Sequence, residues 1–120
     1  MGKFVVTEGK AGTHFNLLAG NGEVIGTSQV YKSASGVAKG IASVRANAPI
    51  AAIEDQTAGA SEKNPKFEIF QDKKGGFRFR LKAANGVTVL ASESYEAKAG
   101  AKNGIKSVVK NAPAAKVEKA

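Results

Sequence analysis

The chain has 120 residues, a formal net charge of +8 and a hydrophobic fraction of 42%, which is ordinary for a globular protein. It contains no cysteine, and this excludes a disulfide scaffold, a thiolate zinc site and a cysteine nucleophile. No apolar run approaches the roughly 20 residues that a membrane-spanning helix needs. No signal-peptide pattern precedes the first strand-like segment, so we expect a cytoplasmic protein with no membrane partner.

The first half of the chain predicts three strands and a helix. Strands over 4–8 and 13–19 flank a glycine-rich turn, and a third strand is predicted over 23–28. Asn21-Gly22 is typical of the two-residue hairpin, in which both central residues have positive φ. The pattern therefore begins with a meander of three antiparallel strands.

The helix that follows has recognisable ends. Ser33 is a suitable N-cap residue, and Asn47 is expected to end the helix in the left-handed conformation just before Pro49. Ile53 then lies in a possible short fourth strand. The second helix has Ala97 at the position of Ser33, which predicts a weaker or displaced cap.

The second half repeats the first at an offset of 64 residues. FNLLAGNGEVIGTSQVYKSASGVAKGIASVRANAP, from Phe15, aligns with FRLKAANGVTVLASESYEAKAGAKNGIKSVVKNAP, from Phe79. We therefore predict an α+β fold of two tandem β-β-β-α(-β) repeats, with antiparallel sheets and one helix each, related by pseudo-two-fold symmetry. The repeats span 1–54 and 66–120, and 55–65 is the linker. Units this small are marginal alone, so we expect them to pack as one body.

Residue alternation and helix periodicity predict the buried faces. On the second strand of each repeat, Phe15 and Leu17, or Phe77, Phe79 and Leu81, should point inward. The helices should bury Ile41, Val44, Ile105 and Val108. Glycines inside the helices cost about 1 kcal/mol each against alanine, and they recur at matching positions: Gly36, Gly40, Gly100 and Gly104. They indicate close helix–sheet packing or, alternatively, a ligand contact.

The second repeat resembles the YegP-like family of small, mostly bacterial proteins. The resemblance rests on FRFRLKAANG, on SESYEAK and on NGIKSVVKNA, in that order along the repeat. The first repeat departs from the pattern, with His14, Asn16 and Leu18 where the second has Arg78, Arg80 and Lys82. The resemblance implies antiparallel strands with helices, in single units that pair or in tandem units. It implies no established activity.

No residue pattern predicts catalysis, a metal or a cofactor. His14, the only histidine, is expected to be a solvated residue on a strand. Ser107 and Lys110 satisfy S-x-x-K, but they lie in the last helical turn without a companion motif, so we interpret the match as chance. Tyr31 and Tyr95 recur between strand and helix, where anchoring the junction is the simpler role. We therefore predict a protein that is not an enzyme.

The basic residues are concentrated in the second half, and they are the only feature that points to a partner. Residues 1–60 carry a net charge of +1, whereas residues 61–120 carry +7. The second helix has lysines every four residues where the first helix has alanines. The candidate anion or nucleic-acid surface combines this ridge with the outward residues of a strand: Arg78, Arg80, Lys82, Lys98, Lys102, Lys106 and Lys110. Phe70 is expected on the same sheet face.

Two interpretations of this surface stay open. Exposed lysines are common on helices and need no ligand, so a small non-enzymatic interaction or accessory protein of unknown partner is our first hypothesis. A nucleic-acid-binding module that uses the basic surface of the second repeat is the alternative. We expect a monomer, in which the repeats form a pseudo-dimer, or a weak homodimer. An enzyme or a small-ligand binder is the third possibility.

Overall fold

Both halves of the chain follow the same order of elements in the computed structural model, which describes residues 2–120. The first half contains β1 (Lys3–Gly9), β2 (Gly12–Leu18), β3 (Val24–Thr27), α1 (Ala34–Asn47) and β4 (Ala52–Asp55). The second half contains β5 (Lys66–Gln71), β6 (Phe77–Lys82), β7 (Thr88–Ala91), α2 (Lys98–Asn111) and β8 (Lys116–Lys119). The predicted order of three strands, a helix and a short fourth strand is therefore confirmed in each half.

The eight strands form a single mixed sheet in the order β4-β5-β6-β7-β3-β2-β1-β8. The prediction of separate, purely antiparallel sheets was wrong, because β4 pairs in parallel with β5 and β8 pairs in parallel with β1. Each half thus adds its last strand to the first strand of the other. These strands have four residues and one large apolar side chain each, so no pattern in them selects a partner.

Both helices cover the same face of this sheet. Phe15, Leu17, Phe79 and Leu81 have no exposed surface, as the alternation predicted. The predicted helix residues are buried in the same hydrophobic cluster: Ile41, Val44, Ile105 and Val108. Because α1 also contacts β7 and α2 also contacts β3, the two halves share one core. Across residues 2–120, no helix is long and apolar enough to cross a membrane.

Glycines allow each helix to approach the sheet closely. A Cβ atom on Gly104 would lie 2.7 Å from the Phe79 ring and 2.6 Å from the Tyr95 hydroxyl. Gly40 of α1 stands in the same relation to its own tyrosine and phenylalanine. Real Cβ atoms do not come this close to a buried ring, so close packing accounts for these glycines and the packing interpretation is confirmed.

The Asn-Gly turns differ from the predicted hairpin type. Positive φ occurs at Gly22 and at Gly86, but not at the asparagine that precedes either glycine. In the first turn the N–H of Ala19 donates to the carbonyl of Glu23 at 2.9 Å, which closes a three-residue loop. The asparagine side chain accepts from the Glu23 N–H instead. Three-residue loops of this kind end in a left-handed glycine, so only one residue needs positive φ.

The helix ends confirm one prediction and correct another. Ser33 caps α1 as predicted, since its Oγ accepts a hydrogen bond from the Gly36 N–H at 3.2 Å. Ala97 leaves α2 without a side-chain cap. Asn47 was expected to be left-handed, but no residue other than glycine has positive φ in the described chain. Its side-chain amide donates to the Ser43 carbonyl at 2.8 Å, so Asn47 continues the helix and Ala48 ends it.

Candidate functional site

The outward side chains of β5 and β6 lie on the sheet face that the helices leave open. Arg78, Arg80 and Lys82 of β6 all point to this face, as the alternation predicted. Phe70 of β5 lies there too, and the Arg80 guanidinium stacks over its ring at 4.6 Å from the centroid. A cation held against an aromatic ring in this way is stabilised without any external ligand.

A buried glutamate pairs with two of these cations. The Glu68 side chain is only 4% exposed, and it accepts a hydrogen bond from the Nε of Arg80. Its other cationic neighbours are the Nζ atoms of Lys66, at 3.3 Å, and Lys82, at 3.7 Å. Burial raises the pKa of Glu68, but Arg80 and the two lysines outweigh this and leave the pKa below its ordinary value. Glu68 is therefore an anion surrounded by three cations.

Glu54 extends this network to β4. Its carboxylate accepts from the Lys66 Nζ at 2.8 Å, from the Gln56 side chain at 2.8 Å and from the Glu62 N–H at 2.8 Å. These hydrogen bonds, with that of Lys66 the largest, lower the pKa of Glu54 to about 2. The segment between the repeats is thus held to the sheet by a carboxylate that stays ionised at neutral pH.

Two further cations of the predicted surface are also paired with acids. Asp72 accepts from the Ser94 hydroxyl at 2.8 Å and from the Arg78 Nε at 3.1 Å, and these bonds lower its pKa to about 2. Lys98, at the start of α2, lies 3.0 Å from the Asp55 carboxylate. Four of the seven predicted surface residues therefore have an acidic partner within the protein.

These acidic partners were not predicted from the sequence. Glu68 lies directly opposite Arg80 in the β5–β6 register. Because these two strands form a hairpin, this pair of opposite charges could have been predicted from the sequence. Glu54 and Asp55 could not have been placed in this way, because they belong to the strand that crosses to the other repeat. The number of basic residues in the second half therefore overstates the positive charge that is free to bind a partner.

The remaining three cations lie on the exposed side of α2 and have no such partner. Lys102, Lys106 and Lys110 are exposed, and no carboxylate of residues 2–120 lies within 4.0 Å of their amino groups. At 1.5 Å of rise per residue, the three Cα atoms span about 12 Å along the helix. They form a line of free positive charge, which we call the α2 lysine ridge.

Part of the α2 lysine ridge borders a hollow that several polar side chains line. Lys106 and Lys110 line a depression of about 630 Å³ together with Asn103 and Ser107 of α2 and the turn at Asn21. The turn belongs to the first repeat, and α2 reaches it because this helix also packs on β3. The hollow offers amide and hydroxyl groups beside two ammonium groups, which are the groups that hold phosphate oxygens.

The candidate catalytic and metal-binding residues are dispersed. His14 lies on the open face of β2 and is half-buried. Ser107 is engaged by the Asn111 side chain, which donates to its Oγ at 3.1 Å, while Lys110 is exposed. Over residues 2–120, no group of three or more histidine, aspartate or glutamate side chains is arranged to hold a metal ion. Tyr31 stacks on Phe15, as expected of a residue that anchors the strand–helix junction.

The fold and the site define a small α+β protein of two repeats with a cationic helix. Residues 10–55 and 72–118 each match the family described as a domain of unknown function, DUF1508. The chain therefore belongs to this family, and the two matches confirm the internal duplication.

Two relatives are similar to this chain over most of its length. The UPF0339 protein YegP of Yersinia pestis is 38% identical over 112 residues, which are 92% of this chain and 88% of the relative. The UPF0339 protein PA0329 of Pseudomonas aeruginosa is 39% identical over 94% of this chain and 92% of its own. A Treponema denticola relative is 60% identical over 52 residues that make up 90% of its length, so it is about one repeat long.

A solved structure shares the whole fold. The solution NMR structure of YegP from E. coli has a TM-score of 0.81 and 34% sequence identity, and the match covers 98% of this chain and 91% of that one. That protein is described as one of unknown function. The function of the family is therefore unknown, and neither hypothesis from the sequence acquires support from a relative.

Proposed function

We propose that this protein is a small, non-enzymatic, cytoplasmic interaction module that binds nucleic acid through phosphate contacts on the α2 lysine ridge. The single observation that carries the proposal is the free charge of Lys102, Lys106 and Lys110. They are exposed, lie on one side of a helix and have no carboxylate within 4.0 Å in the described chain. Every matching residue of α1 is an alanine: Ala38, Ala42 and Ala46.

The proposed surface is smaller than the seven-residue surface expected from the sequence. Arg78, Arg80, Lys82 and Lys98 are excluded from it because each already lies beside an intramolecular acid. A nucleic acid would have to displace these acids, at a cost in folding energy, to gain the same cations. The ridge needs no such exchange, since its ammonium groups face water in the free protein.

The hollow beside the ridge supports a ligand with phosphate groups. Lys106 and Lys110 lie on its rim, and Asn103, Ser107 and Asn21 line it with hydrogen-bonding groups. A flexible single strand of nucleic acid suits this shape, because its backbone can follow the short α2 lysine ridge and place one phosphate group in the hollow. No aromatic side chain lines the hollow within the described residues, so binding should depend on the backbone charge and little on base sequence.

We also propose that the repeats at 1–54 and 66–120, joined by 55–65, are related by a pseudo-two-fold axis between β3 and β7 and act as a monomer. The strand order supports this, since matching strands lie at equal distances on either side of that junction. The fourth strand of each repeat already lies beside the first strand of the other. A second chain is then not needed to complete the sheet.

Binding of a labelled single-stranded oligonucleotide, measured by fluorescence anisotropy over a series of salt concentrations, tests the proposal. The log–log slope on single strands is about −0.7 per phosphate contact, so three lysines predict a contribution of about −2. The variant Lys102→Ala, Lys106→Ala, Lys110→Ala copies α1, and it should lose most of the affinity and flatten the slope by about 2.

A matched control removes the same charge elsewhere. Lys10, Lys32 and Lys39 of the first repeat are exposed and form no ion pair within the described residues, and changing all three to alanine also lowers the net charge by three. This control should bind nearly as well as the unchanged protein. Equal losses in both variants would show an effect of net charge alone. That outcome, or no salt-dependent binding at all, would overturn the proposed surface.

A further inference from the structure

An apolar groove lies between the helix of the first repeat and the sheet. It has a volume of about 340 Å³ and lies between α1 and the strand pair β1 and β8, on the helix side of the sheet. Its apolar lining includes Val6, Ala34, Ala38, Ile41, Ala42 and Val117. A groove of this size is at the lower end of the range for small-molecule sites.

Two substitutions between the repeats explain the empty space. Thr13 lines the groove, whereas the matching residue of the second repeat is Phe77, whose ring packs on the core. Ala34 also lines it, whereas the matching Lys98 extends to the carboxylate of Asp55 at 3.0 Å. A ring and an ion pair thus occupy the positions where the first repeat has a hydroxyl and a methyl group.

A cation without an acidic partner lies at one end of the groove. Arg45 stacks over the Phe4 ring, with its guanidinium carbon 5.4 Å from the centroid, and its Nη2 donates to the Ala115 carbonyl. No carboxylate of residues 2–120 lies within 4.0 Å of the guanidinium, and its buried Nε has no acceptor. The matching residue of α2 is Val109. Buried donors are nearly always paired, so this one calls for an explanation.

The other charged groups lie toward the opposite end. Glu8 is four residues along β1 from Phe4, and Lys119 pairs with Val6 in the parallel register, so both are displaced from Arg45 along the strands. Glu8 and Lys119 carry opposite charges and both line the groove. The uncompensated charge is therefore at the Arg45 end. From Ala34 to Arg45, α1 extends about 16 Å beside an almost continuous apolar wall.

From this arrangement we propose that the groove binds a linear aliphatic carboxylate of medium chain length. The alkyl chain lies along the alanines of α1 and on Val6, Ile41 and Val117, and the carboxylate accepts hydrogen bonds from the guanidinium of Arg45. A small rotation of that side chain presents Nε and one Nη to the two oxygens, the fork geometry that arginine offers to carboxylates. This site is separate from the α2 lysine ridge and does not depend on it.

Titration of the whole protein with dodecanoate, followed by NMR shifts of backbone amides, tests this inference. Shifts should saturate, and they should be confined to the groove in α1, β1 and β8. Dodecyltrimethylammonium, which has the same tail and the opposite charge, should bind at least about tenfold more weakly, because a charge-assisted hydrogen bond is lost. Equal affinities for the two amphiphiles would overturn the proposal, since they would indicate adsorption of the tail alone.

The repeats themselves suggest the variants. Thr13→Phe copies Phe77, should fill the groove and should abolish dodecanoate binding. Arg45→Val copies Val109 and should weaken binding by at least about tenfold. Lys39→Gln, at an exposed position of α1 outside the groove lining, is the control, and its affinity should stay close to that of the unchanged protein. If Arg45→Val fails to fold, Arg45→Lys and the comparison of the two amphiphiles still decide the question. Loss of binding in Lys39→Gln alone, or occupation of the groove by a second copy of the chain, would refute the assignment.

Discussion

The two repeats agree in the core and differ on the surface. The four core phenylalanines have no exposed surface, and the ring pairs Phe4–Phe15 and Phe67–Phe79 have similar centroid distances, 5.6 and 6.0 Å. On the open face, by contrast, Arg80 replaces Asn16 and Glu68 replaces Val5. The hairpin of the second repeat therefore has Arg80 and its acidic partner Glu68 together, on adjacent strands.

The helices show a different kind of change. The lysines of α2 replace alanines of α1 at three exposed positions, and no acid within the described chain accompanies them. Paired charges on the sheet hold the protein together, whereas unpaired charges on the helix destabilise it slightly through mutual repulsion. The comparison teaches that a basic surface is meaningful for binding only after the intramolecular ion pairs have been subtracted.

Truncation of a core ring should have the largest effect and shows whether the repeats are one folding unit. Phe15→Ala and Phe79→Ala should each destabilise the protein by about 3–5 kcal/mol, because each removes a fully buried ring. Since both rings belong to one cluster, each variant should unfold in a single transition in chemical denaturation followed by circular dichroism. A two-step curve, with only the mutated repeat unfolding early, would contradict the shared core.

Substitution of the helix glycines should have a smaller effect, of similar size in the two repeats. Gly104→Ala places a methyl group 2.7 Å from the Phe79 ring, and overpacking of about 1–3 kcal/mol outweighs the gain of about 1 kcal/mol in helix propensity. At Gly40 the contact with the Phe15 ring is looser, at 3.0 Å, but the contact with the Tyr31 hydroxyl is tighter than the matching contact of Gly104, so Gly40→Ala should cost about as much. Free energies of unfolding measured for both variants decide this, and a stabilised Gly104→Ala would refute the close approach.

Exchange of the N-cap residues should shift stability by about 1 kcal/mol in opposite directions. Ser33→Ala removes the hydrogen bond to the Gly36 N–H, and Ala97→Ser offers α2 a cap that it lacks. The first variant should lower the thermal midpoint and the second should raise it. If Ala97→Ser is neutral, the start of α2 is already satisfied by another group.

Acid titration should separate two of the ion pairs that link the repeats, Glu54–Lys66 and Lys3–Glu118. Glu54 has a pKa of about 2, below the ordinary value of 4.5, so it stabilises the fold above that value and loses its contribution as the pH falls toward 2. Glu54→Gln should therefore flatten the decline of stability with acid. Glu118→Gln is the matched control, because Glu118 is half-exposed in its pair with Lys3 and such pairs contribute little. An unchanged acid profile for Glu54→Gln would contradict this role.

Periodicity and repetition predicted much of the fold because they report local geometry. The alternation around Phe79 correctly assigned the buried face of β6. The glycines at matching helix positions indicated a close approach of helix and sheet, and the contact between Gly104 and Tyr95 agrees with it. Two of the predictions that failed depend on backbone angles of single residues. Asn47 and Asn21 both tolerate a left-handed backbone, but in each case a side-chain hydrogen bond satisfies the amide or carbonyl in another way.

By itself, the amino-acid sequence determined the duplicated unit, its order of strands and helix, and the residues that form its core. These follow from the spacing of apolar side chains along a single segment. The tertiary structure alone decided where β4 and β8 pair, which cations are neutralised and where a groove stays open. Those outcomes depend on partners distant in the chain, such as Glu54 and Lys66 or Lys98 and Asp55, which only the folded backbone brings together.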